Sequence, residues 1–428
     1  MLSSLFRFLT IGLATSTLTI SFIPLHSARV VSILAISIFF VTLYRNDIAV
    51  RRNGLLLFSL LLAFVVYSGF QAVFSETEDF AFWKKVASIF FDGVPSAILI
   101  AFILIQKNRS KCCPKDQAFC DFFEYYFWFS ALVSLTVILS FLSPEFRNIA
   151  ERIFPAQGNI VDSTHPDYLY RVRGILPATG ATASVYFAFG LAFGLIASNQ
   201  IVGASYAKRV AAILGFVLLA MAILLNGRTG FVILALGVAL FISFFIIKAI
   251  STYKINKKLF LYSLTFVILS SLGAVFIIFP MLNEAGAIKR LVEDFALIIS
   301  SGGSRGTLGA LKEMYFIKGT TADFLFGDVS TFKTNIIPSD VGYVRVLHAT
   351  GIFGFFLFYM FWVMSYGVLF LSGIGQKLKL VSLYVILSLF LIELKEPFFL
   401  YVYSSIIVMV PICIYCLSPR VKCVRYDG

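Results

Sequence analysis

Asp340-Val-Gly-Tyr-Val-Arg-Val-Leu-His-Ala-Thr-Gly-Ile-Phe-Gly354 closes a long polar loop and runs into an apolar stretch that continues to Leu371. On its loop side the chain is polar from Asn283 to Asp340, and one other sizeable polar connection runs from Pro144 to Gly180. Most of the remainder is apolar. The 428 residues are 59% hydrophobic and 13% charged, with a mean hydropathy of +0.92, whereas a soluble domain carries about 25% charged residues. Apolar runs this long, without alternation, make helices rather than barrel strands, because a helix satisfies its own backbone in lipid. The expected fold class is therefore an all-α polytopic membrane protein of about 12 transmembrane helices, each needing roughly 20 apolar residues. It reads as a single integral membrane domain, 1–428, with two sizeable external loops at 144–180 and 281–345.

The spans read in order as Phe8–Pro24, Arg29–Tyr44, Gly54–Phe74, Val86–Gln106, Phe122–Leu142 and Ala181–Ser198. They continue as Val210–Leu225, Phe231–Ile247, Leu259–Pro280, Val346–Leu371, Leu380–Ile392 and Phe399–Leu417. Basic clusters occupy alternate connections: Arg45, Arg51 and Arg52; Lys107 to Lys115; Lys208 and Arg209; Lys248 to Lys258; Lys377 and Lys379; and Arg420 to Arg425. Lys and Arg favour cytoplasmic connections, so both termini are expected in the cytoplasm and both long loops outside. The same rule accounts for the net charge of +13. Scattered between spans, these residues make no basic domain, and no nucleic-acid partner is expected. The first run resembles a signal peptide, but Leu25-His-Ser-Ala28 is a poor cleavage site and an uncleaved span is expected.

The six cysteines form no disulfide framework. Cys112, Cys113 and Cys120 fall in a basic loop read as cytoplasmic, where thiols stay reduced. Cys413-Ile-Tyr-Cys416 has redox-motif spacing inside an apolar run, where two buried small residues are the expectation. His26, His165 and His348 are isolated in sequence, and no metal site is expected. His348, three residues from Arg345, either lines a cavity or is a satisfied buried histidine. Asp92-Gly-Val-Pro95 puts one carboxylate inside the fourth span, the one feature of transporter type.

Arginine collects outside beyond what orientation requires. Arg171 and Arg173 precede the sixth span, Arg228 sits at the tip of the short hairpin Asn226-Gly-Arg-Thr-Gly230, and Arg290 and Arg305 lie in the large loop. A guanidinium grips phosphate oxygens bidentately and stays charged. Glycines beside Arg173, Arg228 and Arg305 let backbone N–H groups approach the same anion. The alternatives are helix capping and binding of lipid headgroups. Ser339 and Asp340 look like a helix start; Asp340, Tyr343, Leu347 and Gly351 then share a face. Asp340 can serve as a base toward a hydroxyl or simply favour the helix dipole. Lys395 either pairs with Glu396 or faces the same site.

Three stretches together resemble the O-antigen polymerase and O-antigen ligase superfamily of bacterial inner-membrane glycosyltransferases. They are Arg171-Val-Arg-Gly-Ile-Leu-Pro-Ala-Thr-Gly180, Asn226-Gly-Arg-Thr-Gly230, and Asp340-x-x-Tyr343 followed by Leu347 and Gly351-Ile-Phe-Gly354. The resemblance implies an undecaprenyl-pyrophosphate-linked oligosaccharide as substrate, polymerised on the periplasmic face of the inner membrane without metal or other cofactor. It implies catalytic roles for Arg173, Arg228 and Asp340, and substrate contacts from Arg171, Arg290, Arg305, Tyr343, His348 and Lys395. Membrane lipid and a separate chain-length regulator are the implied partners. Ligases of this superfamily carry histidine where Asp340 aligns, which favours polymerase over ligase. The open alternatives are a ligase transferring glycan to lipid A core and a lipid-linked oligosaccharide flippase.

Overall fold

The computed structural model describes residues 2–21, 25–44, 48–74, 80–110, 114–155, 172–177, 180–197, 205–227, 229–252, 300, 312–316, 320–329, 341–371 and 375–419. The chain is predominantly helical: α1 Leu2–Ser16, α2 Ser27–Tyr44, α3 Arg52–Phe74, α4 Ala81–Ser88, a π-helical turn Ile89–Gly93, and α5 Val94–Lys107. There follow α6 Pro114–Leu142, α7 Pro144–Ile153, α8 Ala181–Ile196, α9 Tyr206–Asn226 and α10 Thr229–Thr252. After these come α11 Thr321–Phe326, α12 Gly342–Leu371, α13 Gln376–Glu393 and α14 Val402–Cys416. Among the described residues, five helical runs are long and apolar enough to cross a membrane: Arg52–Phe74, Ala81–Lys107, Pro114–Leu142, Tyr206–Asn226 and Gly342–Leu371. Several shorter helices are equally apolar. The expected ninth span, 259–280, lies outside the described residues.

α6, α8 and α9 pack on one another; α10 bridges α8 to α13, α12 lies along α3, and α5 sits between α2 and α14. Aromatic rings fill the interior, as where Trp362 stacks on Phe399 at 4.7 Å. On the outside, Leu55, Leu56, Val66 and Phe74 of α3 and Phe356, Val363 and Met364 of α12 are exposed. An apolar exterior of this kind suits a membrane-embedded helical bundle.

The connections sort to two ends. At one, Ile48–Val50 pairs antiparallel with Leu417–Pro419, Arg51 lies over the Tyr415 ring, and Lys115 donates to the Tyr415 carbonyl at 2.7 Å. Lys107 pairs with Asp121 at that end. At the other, the backbone N–H of Ser21 reaches the Ile153 carbonyl, Thr182 meets Glu396, and Tyr315 donates to the Leu394 carbonyl. Among the described residues, Arg51, Lys107 and Lys115 thus gather at one end and the Thr182, Tyr315 and Glu396 contacts at the other.

Three local departures from the sequence reading have physical causes. α1 ends at Ser16, well short of Pro24, with Thr17 at φ 46°. The hydroxyls of Thr15 and Ser16 take the carbonyls of Ile11 and Gly12, and such hydroxyl-rich runs compete with helix continuation. The 144–180 segment opens with α7, where the Ser143 hydroxyl accepts from the Phe146 N–H and Pro144 opens the first turn. That Ser-Pro-Glu start was legible in the sequence. Asp92, read as a lone intramembrane carboxylate, is paired. Arg29 donates from Nε at 3.1 Å and from Nη2 at 3.0 Å, and Ser88 donates at 2.6 Å.

His26 joins them, 3.4 Å from Asp92 through Nε2. Its Nδ1 accepts the Arg29 backbone N–H, so Nε2 carries the proton and points it at the carboxylate. The π-helical turn turns Asp92 toward α2, and the Phe91 carbonyl accepts from Ser32. This clamp locks α2 to α4 and α5. Removing one partner of a fully buried pair costs about 3–5 kcal/mol. Because the Arg29 side chain is half open to its surroundings, Arg29→Ala is expected to cost about 2 kcal/mol, with Arg29→Lys recovering only part. Thermal unfolding of the detergent-solubilised protein measures this; no change for Arg29→Ala removes the clamp.

Candidate functional site

At the polar-loop end, four segments converge: the start of α8, the hairpin between α9 and α10, the start of α12, and the turn from Leu394 to Tyr401 between α13 and α14. The hairpin is close because two glycines flank its tip. Gly227 lies against Gly180 and Ala181 at ordinary contact distance. Gly230 donates its N–H to the Ser184 hydroxyl at 3.1 Å, and a Cβ there would lie 2.6 Å from the Ser184 carbonyl oxygen. Thr229, the other neighbour of Arg228, accepts from Lys395 Nζ at 3.4 Å. One residue on, Glu396 accepts from the Thr182 hydroxyl at 2.7 Å. Thr182, Ala183, Leu176, Pro177, Tyr186, Tyr403 and Ser16 line a small cavity beneath this contact.

Arg173 lies beside that cavity and is 4% exposed. Its Nη1 donates to the Leu176 carbonyl at 3.0 Å, closing a turn that leans on α6 through the Ile175 N–H and the Thr136 hydroxyl. Burial lowers the guanidinium's pKa; Glu151 of α7 offsets this, and Arg147 adds to it. The group is a cation held in a partly apolar wall, where an anion gains more than it would in water.

Tyr343 and His348 take supporting positions. The Tyr343 hydroxyl donates to the Phe390 carbonyl at 2.9 Å, and its ring packs on Tyr359 at 5.1 Å. His348 is buried, with Nε2 3.2 Å from the Phe316 carbonyl, so that nitrogen carries the proton. The His348 carbonyl accepts from the Asp328 N–H at 2.7 Å. His348 is thus buried and hydrogen-bonded, and it ties Phe316 and Asp328 to α12.

α12 is not one straight rod. It breaks at Gly351, where φ is +61°, a conformation only glycine adopts without strain. α11 fills the break, and the Tyr67 hydroxyl covers the freed Thr350 carbonyl at 2.9 Å. The single helical face expected to run from Asp340 to Gly351 is thus interrupted at its last member. Arg171, Arg228, Arg290, Arg305 and Asp340 lie outside the described residues.

Glu393, Glu396 and Thr182 are the polar groups of this mouth that the sequence reading did not choose. The available signal was Glu393-Leu-Lys-Glu-Pro397, a charged run in a chain poor in charge. Gly230→Ala is expected to push the hairpin off α8 and cost about 1–3 kcal/mol. Loss of thermal stability in detergent measures this, and an unchanged midpoint argues against the close packing of hairpin on α8. Set beside known protein families, curated proteins and solved structures, the chain matches none.

Proposed function

We propose that this chain is an inner-membrane glycosyltransferase that polymerises undecaprenyl-pyrophosphate-linked repeat units into O-antigen or a related surface polysaccharide. One observation carries the reading. The three stretches on which the family resemblance rests meet at one end of the bundle: Gly227 on Gly180, Thr229 on Lys395, and Gly342 on Glu393 two residues away. The charge rule assigns the opposite, basic end to the cytoplasm and this mouth to the periplasm.

In the proposed reaction an acceptor hydroxyl, on the non-reducing end of one carrier-linked unit, attacks the anomeric carbon of the donor glycan. The new glycosidic bond forms as the bond from that carbon to the pyrophosphate breaks. The electron pair leaves with undecaprenyl pyrophosphate, and the hydroxyl proton passes to a base, for which Asp340 is the candidate. Arg173 and Arg228 stabilise the charge that grows on the leaving pyrophosphate. Holding two lipid-linked substrates at one mouth supplies the rest of the rate, by orientation. Arginines gathered in the connections, few ionisable residues within the spans and halves of unequal loop length favour this reading over the transporter alternative.

Lipopolysaccharide from a deletion strain, resolved on a gel, tests the assignment. Single repeats on the core are expected. Polymer stranded on the carrier with none on the core indicates a ligase, and intermediates facing the cytoplasm indicate a flippase. In the complemented strain, Arg228→Ala is expected to abolish long chains, and Arg228→Lys to rescue poorly because an ammonium lacks the planar fork. Chain lengths near normal in both variants would remove Arg228 from the site.

A further inference from the structure

Glu393 ends α13 and is fully buried. Its two oxygens are used separately: Oε1 accepts from the Tyr359 hydroxyl at 3.0 Å, and Oε2 from the Phe398 N–H at 2.7 Å. The carboxyl group also lies flat against Gly342, the first residue of α12. A Cβ at that position would be 2.5 Å from the carboxyl carbon. One turn earlier on α13, the Phe390 carbonyl accepts from the Tyr343 hydroxyl. The last turn of α13 therefore grips two successive residues at the start of α12. The same carboxylate orders the turn that carries Lys395 and Glu396.

A carboxylate is an expensive group to bury. A hydrophobic residue would fill the volume, yet could not bind the Phe398 N–H and the Tyr359 hydroxyl together. We propose that Glu393 is the positioning residue of this mouth. Its carboxyl group sets the register between the start of α12 and the Leu394–Tyr401 turn. The inference rests on the transferase reading and adds to it a residue that acts through its neighbours.

The test uses full-length Glu393→Ala, Glu393→Gln, Gly342→Ala, and Gly342→Ala combined with Glu393→Asp, in a strain lacking the native copy. Polysaccharide chain length is read on gels at matched amounts of protein in the membrane, and the thermal midpoint on detergent-purified protein. Glu393→Ala and Gly342→Ala are expected to lower long-chain product at least about tenfold, since small misplacements of reacting groups are costly. Glu393→Gln is expected to keep it, because the amide oxygen can take the Phe398 N–H while its NH2 faces the Tyr359 oxygen. In the double variant the shorter Asp draws the carboxyl back from the new methyl, and both chain length and midpoint are expected to recover relative to Gly342→Ala. Normal chains in Gly342→Ala, a double variant no better than the single one, or losses accounted for by protein amount alone would each overturn the proposal. Should the unaltered chain fail to restore long chains, the transferase reading falls by itself. The midpoints then decide the contact: it stands if the double variant exceeds Gly342→Ala and falls if it does not.

Discussion

In a bilayer a backbone carbonyl that leaves its helical partner has no water to turn to, so another donor must be built beside it. The described bundle meets this demand at three places where a helix deviates or ends. At the Gly351 break, Tyr67 reaches the Thr350 carbonyl and Gln71 reaches that of Phe326. At the π-helical turn, Ser32 takes the Phe91 carbonyl. At the end of α1, the Ser27 hydroxyl returns to the Leu13 carbonyl at 2.5 Å. Each irregularity is tied to a neighbouring helix by a hydroxyl or amide, so local distortion and helix packing are the same event.

The same demand shapes the polar-loop mouth. Helices that end there leave carbonyls and N–H groups at the border of the hydrocarbon, and side chains of adjacent segments satisfy them. The Ser184 hydroxyl receives the Gly230 N–H, the Leu394 carbonyl receives the Tyr315 hydroxyl at 2.6 Å, and Glu393 receives the Phe398 N–H. With Thr182 on Glu396, Lys395 on Thr229 and Glu393 against Gly342, four segments far apart in sequence are drawn together. Beside them Arg173 is buried with the Leu176 carbonyl bound, a cation placed where low dielectric strengthens its pull on an anion.

Charges within the apolar layer follow a related rule. An isolated carboxylate there would cost several kcal/mol, and Asp92 avoids that cost through Arg29, His26 and Ser88. The cluster spans two helices and a loop, and His26 is fully used within it: one nitrogen on a backbone N–H, the other aimed at Asp92. A histidine so occupied has no free lone pair for proton transfer, which makes the cluster a clamp and not a relay.

The sequence by itself determined the class of the protein and its helices. Apolar runs of the right length, punctuated by basic clusters on alternate connections, leave only a polytopic helical bundle, because hydrophobic length and the charge rule act locally along the chain. It also pointed to the segments of the mouth, since Gly-rich turns and charged runs stand out in so apolar a chain. What it could not determine is which distant side chains share a contact. Asp92 read as solitary because Arg29 lies 63 positions away, and Glu393 read as one residue of a turn because Gly342 and Tyr359 reach it only through packing. His348 read as ambiguous until Phe316 came beside it. Those partnerships were decided by tertiary structure alone: a buried polar group takes whichever donor or acceptor the folded helices bring within about 3 Å, and distance along the chain carries no record of that.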